Sequence, residues 1–194
     1  MSTELPRYPY VELADIPDDI RATIEEVAEK SGFIPNVFLM LARRPAEFRA
    51  FFAYHEAVME KETGNLSKAD REMIVTAVSG ANSCLYCVVA HGAILRIYAK
   101  NPRVADQVAI NPNTAEITER QRAMLDFALK VNAESHRVGD DDFAVLRGHG
   151  FDDEDIWDIT AITGFYGMSN RLASVTGMMP NEEFYLMGRV PRQK

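Results

Sequence analysis

Asn82-Ser-Cys-Leu-Tyr-Cys-Val-Val-Ala-His91, running on through Gly92-Ala-Ile-Leu-Arg-Ile-Tyr-Ala99, decides how this chain is read. Cys84 and Cys87 are the only two cysteines in 194 residues, and two cysteines placed at random would fall three apart only about 1% of the time. A histidine four residues past the second lowers the chance by a further factor of about 0.02. Cys-x-x-Cys-x-x-x-His therefore reads as chemistry. Gly80 to Ser83 makes a short turn, and the apolar run after it predicts a helix from about Cys84 to Ala99. At about 100° per residue, Cys87 lies roughly 60° and His91 about 20° around that helix from Cys84, so all three share one face. Ser83 is the expected N-cap, which places both cysteines in the first turn, where free N–H groups and the helix dipole favour a thiolate. Lowering a thiol pKa from about 8.5 to about 7 raises its thiolate fraction at pH 7 from roughly 3% to 50%.

One helix upstream, Ser67 caps a segment expected to run to about Ser79, and Glu72 lies on it. Glu72 is about 12 Å from Gly80 along that helix and His91 about 10 Å past Cys84 along the next. In an antiparallel hairpin the two stand level. A carboxylate beside an imidazole fixes its tautomer and raises its basicity, and that imidazole can take the proton of a thiol one turn away.

The rest of the chain is helical by pattern. Pro17 opens a helix over Asp18 to Lys30, which Gly32 stops, and a short one follows over Asn36 to Arg43. Pro45 restarts the chain into Ala46 to Lys61, with Phe48, Phe51, Phe52, His55 and Val58 on one stripe. Further helices are expected over Arg103 to Ile110, Thr118 to Ala133, Asp140 to Gly148 and Glu154 to about Ser174. Strand-like alternation is absent. The expectation is an all-α chain forming one domain over 1–194, with an N-terminal arm at 1–16 and a C-terminal tail at 178–194 that stays loose or clasps a neighbour. An echo at an offset of 85 pairs Leu66 with Phe151, Asp70 with Asp155, Ile74 with Ile159 and Gly92 with Gly177, which suggests a duplicated helical hairpin. Its second copy has Ser169 and Leu172 in place of the cysteines.

A formal charge of −8 opposes binding to nucleic acid or anionic lipid. No apolar run approaches the roughly 20 residues of a membrane span, and Met1 to Tyr10 lacks a secretory signal, so a cytoplasmic location is expected. In a reducing cytosol a close cysteine pair is more often catalytic or metal-binding than a static staple.

Glu72, twelve positions before Cys84, followed by Cys84-Leu-Tyr-Cys87-Val-Val-Ala-His91, resembles the signature of the alkylhydroperoxidase (AhpD-like) branch of the carboxymuconolactone decarboxylase superfamily. The runs Gly32-Phe-Ile-Pro-Asn-Val-Phe and Arg71-Glu-Met-Ile are similar to its peroxidase-related subgroup. The resemblance covers roughly Pro17 to Gly177. It implies an AhpD-like helical bundle, a homo-oligomer, and reduction of hydroperoxides through a dithiol/disulfide cycle that needs no prosthetic group and is recharged by an external dithiol. By position it implies Cys87 as the peroxidatic cysteine, Cys84 as the resolving one, and Glu72 with His91 as the proton relay. Tyr86 stands where the family pattern has a second histidine, and a phenol titrating near 10 is a poorer shuttle at neutral pH.

Each residue also has a plainer reading. The cysteine pair is a redox dithiol, a metal site or an inert pair; Cys84, Cys87, His91 and Glu72 make a cramped zinc cage, and the redox reading is preferred. Tyr86 reads as packing or a pocket wall, and His55 as core or interface with an access pocket as the functional reading. Trp157 reads as buried packing, and His136 and His149 as loop residues. Asp140-Asp141-Asp142 and Asp152-Asp153-Glu154-Asp155 suit helix starts better than calcium. Two other functions stand beside the peroxidase: a non-catalytic redox- or metal-responsive oligomeric scaffold, and a decarboxylase-like enzyme, whose chemistry does not need a cysteine pair.

Overall fold

A computed structural model describes residues 5–61 and 64–189. Among them there is no strand. The helices are α1 (Asp18–Ser31), α2 (Asn36–Leu41), α3 (Pro45–Met59), α4 (Lys68–Ala81), α5 (Leu85–Ala99), α6 (Val104–Ile110), α7 (Glu119–Glu134), α8 (Asp140–Gly148), α9 (Asp153–Thr176) and α10 (Glu182–Leu186). Short 3-10 turns at Pro112–Thr114 and Ser135–Arg137 link neighbouring helices. No helix among the described residues is long and apolar enough to cross a membrane.

The bundle is organised around α4, which packs against α5, α6, α7 and α9 and is buried without a break from Asp70 to Ser79. A helix enclosed on all sides must satisfy its polar groups internally. Ser67 and Asp70 close its start as a capping box, and Gln121 donates to Asp70 at 3.0 Å. The fully buried Arg71 donates to Asp158 Oδ2 at 2.9 Å and to the Val58 carbonyl at 2.7 Å. Lys61 approaches the same carboxylate at 3.1 Å. At the far end α4 crosses α6 so closely that a Cβ on Gly80 would collide with the Ala109 carbonyl.

The turn into α5 differs from the expected one. The Cys84 N–H bonds to Ser79 O at 2.9 Å and the Ser83 N–H to Gly80 O at 3.0 Å, a Schellman closure that holds Ser83 at φ 54°. Committed to ending α4 in a left-handed conformation, Ser83 cannot take the extended geometry of an N-cap. Cys84 takes that position, extended at φ −89° and ψ 100°, and Cys87 falls in the first turn.

Three other expectations change. The echo at an offset of 85 survives as matched capping boxes, Ser67/Asp70 and Asp152/Asp155, at the starts of α4 and α9. Positions 80–84 map onto 165–169, inside the continuous α9, so the second copy is one helix and not a hairpin. Trp157 is 73% exposed, because the core-facing stripe of α9 runs through Ile156, Ile159 and Ile162. The described part of the C-terminal tail folds back on its own chain as α10, where Arg96 donates to the Phe184 and Met187 carbonyls, each at 2.9 Å, and Phe184 meets Phe33 edge-on. The loose-tail reading for 190–194 lies outside the described residues. His136 and His149, expected in loops, lie in the Ser135–Arg137 turn and at the C-cap of α8, both exposed.

Candidate active site

The α4–α5 hairpin brings the sequence candidates together. Glu72 and His91 stand level, and His91 Nδ1 lies 2.7 Å from Glu72 Oε2. A carboxylate only accepts, so Nδ1 carries a proton and donates, and in the neutral imidazole Nε2 is then the free base. The imidazole is also fixed by edge-on contact with Tyr166, ring centroids 4.7 Å apart.

Cys84 and Cys87 are free thiols, 1% and 2% exposed, within a small apolar cluster that includes Met40, Ala90, Ala173 and Phe184. They divide one proton unequally. The Cys87 S–H bonded to its sulfur brings Cys84 down to about 6 against the opposing effect of burial. Cys87 is pushed well above the ordinary thiol value by the Cys84 sulfur it serves as donor, and then by burial. The two shifts oppose one another because the Cys87 S–H, donating to the Cys84 sulfur, favours a thiolate on Cys84 and disfavours one on Cys87.

Cys87, His91, His55, Tyr86 and Tyr166 line one cavity of about 560 Å³, a size suited to an organic molecule. Five phenylalanines, Phe33, Phe38, Phe51, Phe52 and Phe184, make much of its wall, while Lys30, Glu56 and Glu60 add charge. His55 sits between Phe52 and Phe165, its ring centroid 6.3 Å from each. Burial, with a smaller contribution from His91, lowers its pKa to about 4, so at neutral pH it is an uncharged imidazole on the cavity wall. Tyr86 is buried and its hydroxyl accepts the Val37 N–H at 3.2 Å. Burial raises its pKa, which removes it further from proton transfer at neutral pH and suits it to the role of a wall.

Sequence reasoning did not single out the α9 residues beside the thiols. Ser169 and Asn170 face the Cys87 sulfur and act to lower its pKa, and Asn170 also donates to Ser79 Oγ at 3.0 Å and accepts from Asn82 at 2.9 Å. The one available signal was the echo, which places Ser169 opposite Cys84. No group of three or more His, Cys, Asp or Glu among the described residues is placed to hold a metal ion.

An all-helical bundle carrying a dithiol beside a carboxylate–imidazole pair defines the class, and the comparisons agree. Residues 45–130 match the carboxymuconolactone decarboxylase family. The chain is 66% identical to an alkylhydroperoxidase AhpD core structure from Ralstonia eutropha JMP134, an uncharacterized peroxidase-related protein, over 97% of this chain and 99% of that one, with a TM-score of 0.95. It is 41% identical to an uncharacterized peroxidase-related protein from Silicibacter sp. TM1040, over 97% and 99% of the two chains, with a TM-score of 0.90. A cysteine-to-alanine variant of the debrominase Bmp8, in complex with 2,3,4-tribromopyrrole, shares the fold at 19% identity over 96% of each chain, with a TM-score of 0.77. No curated protein matches the chain. The chain belongs to the AhpD-like branch of the carboxymuconolactone decarboxylase superfamily.

Proposed function

We propose that the protein is a thiol-dependent peroxidase that reduces organic hydroperoxides through a Cys84–Cys87 dithiol/disulfide cycle. The observation that carries this reading is the placement of Cys87 and the Glu72-held His91 on one apolar cavity. His91 Nε2 takes the Cys87 proton, and the thiolate attacks the terminal oxygen of the hydroperoxide. The O–O bond breaks, Cys87 becomes a sulfenic acid, and the alkoxide leaves with the proton returned from His91. Cys84, as a thiolate, then attacks the Cys87 sulfur. Hydroxide leaves, takes a proton to become water, and the disulfide is formed. An external dithiol restores both thiols.

Cavity size supports an organic substrate over hydrogen peroxide, which would fill a small part of about 560 Å³. Assembly as a homo-oligomer is supported by the outward stripe of α9, where Trp157, Met168, Leu172 and Val175 are 73%, 42%, 41% and 67% exposed. A helix face that leaves large apolar side chains in solvent is a candidate interaction face.

Steady-state consumption of cumene hydroperoxide with a panel of dithiol donors tests the reading. Turnover that disappears in Cys87→Ser is the expected result. Thiols that oxidise once without turnover would instead favour the redox-responsive scaffold.

A further inference from the structure

The two sulfurs open on different spaces. Cys87 borders the large cavity and Cys84 does not. Cys84 borders a second cavity of about 220 Å³, which Cys87 does not reach. Tyr86 borders both and separates them. The walls of the second cavity include Leu5 from the N-terminal arm and Ala173, Ser174 and Met178 from the end of α9 and beyond.

The arm is held there by the last carbonyls of α9. The Arg7 N–H bonds to Thr176 O at 2.8 Å, and its guanidinium donates to Ser174 O at 3.2 Å and Val175 O at 2.9 Å. Carbonyls in a helix's last turn lack partners within the helix, which gives the arm a docking site. Both guanidinium bonds are solvent-exposed, so water can replace them when the arm lifts.

We propose that the half-reactions use opposite faces of the dithiol: the hydroperoxide meets Cys87 in the large cavity, and the reducing dithiol attacks Cys84 through the small one, which the arm at 5–7 gates. This rests on the disulfide cycle proposed above. Thiol–disulfide exchange requires the attacking sulfur to approach along the S–S axis from beyond the sulfur it attacks. A space that touches Cys84 and not Cys87 offers that approach. The reductant thiolate forms a bond to Cys84 Sγ, the Cys84–Cys87 bond breaks, and Cys87 leaves as a thiolate beside Ser169 and Asn170 and takes its proton from solvent. The second thiol of the reductant, as thiolate, then attacks the reductant's own sulfur in the mixed disulfide. It expels Cys84 as a thiolate and leaves the reductant as a cyclic disulfide. The low pKa of Cys84 does not redirect the first attack, because its principal cause is the Cys87 thiol, which the oxidised pair lacks.

The test forms the disulfide with diamide, so it needs no peroxidase activity. Oxidised protein is treated briefly with 2-mercaptoethanol in the presence of N-ethylmaleimide, and tandem mass spectrometry locates the two adducts. The expected result is mercaptoethanol on Cys84 and maleimide on Cys87. Arg7→Ala, and separately removal of residues 1–7, should speed reduction by glutathione about 3- to 10-fold by releasing the arm, with the rate of Cys87 oxidation by cumene hydroperoxide unchanged. Mercaptoethanol on Cys87, or reduction unaffected in both arm variants, overturns the proposal. Absent hydroperoxide turnover with the adduct pattern intact overturns the peroxidase reading alone, and failure of diamide to form the disulfide overturns both.

Discussion

Glu72 and His91 lie on successive helices, 19 residues apart in the chain, and their Oε2 and Nδ1 atoms are 2.7 Å apart. Both are largely enclosed, with 8% and 15% of their side chains exposed. The contact keeps the Nε2 lone pair available on the cavity that Cys87 borders. Glu72→Gln should slow the first oxidation of Cys87, and His91→Ala should slow it further, with losses of roughly 10²–10⁴-fold where general acid–base transfer is removed. Stopped-flow measurement with excess hydroperoxide checks this. Equal rates in all three proteins would make the pair structural.

Unequal sharing of the thiol proton predicts an ordered titration. Ultraviolet thiolate absorbance should show one group ionising near 6 and none of the remainder below the ordinary thiol range. Cys84→Ser should abolish the low transition. Cys87→Ala should move the Cys84 transition up toward the unperturbed value of about 8.5, because the strongest favourable contact to its sulfur is gone. A Cys84 transition that stays near 6 in Cys87→Ala would assign the shift to the helix terminus instead.

His55 makes stability depend on acid. Its folded pKa is about 4, below the unfolded value of 6.5, so the unfolded chain takes up the proton first as pH falls. The stability it contributes is complete above about 6.5 and is lost as pH falls toward about 4, by about 3 kcal/mol in total. Urea unfolding across that window should show His55→Gln losing less stability than wild type by about this amount. Parallel curves for the two proteins would mean that His55 is solvated in the folded state.

The outward stripe of α9 should govern assembly. Met168 and Leu172 form a ridge between two open grooves that share Gly164, which lets a neighbouring side chain approach. Sedimentation velocity should show wild-type protein as an oligomer, and Met168→Glu should shift it to a smaller species, since a carboxylate there must be desolvated on association. A wild-type monomer at micromolar concentration removes this expectation.

Much of the architecture was legible locally. Pro45 opens α3, Ser67 caps α4, and Gly32 closes α1, where the sequence places those signals. Spacing also put Glu72 level with His91, because a short turn between two helices leaves little freedom in their register. A cap, a stop and a helical period depend on neighbours within a turn or two, so one sequence suffices to read them.

What the sequence by itself determined was an all-helical chain with a dithiol, an imidazole and a carboxylate on one hairpin. Tertiary structure decided the rest. The Schellman closure at Ser83 made Cys84 the N-cap, and packing against α9 brought Ser169 and Asn170 to Cys87 from about 80 residues away. It turned Trp157 outward, folded α10 back onto Arg96, and gave the two sulfurs separate cavities. Which face of a helix is enclosed, and which space a side chain borders, depends on elements distant in sequence; the local pattern offers several faces, and three-dimensional packing selects among them.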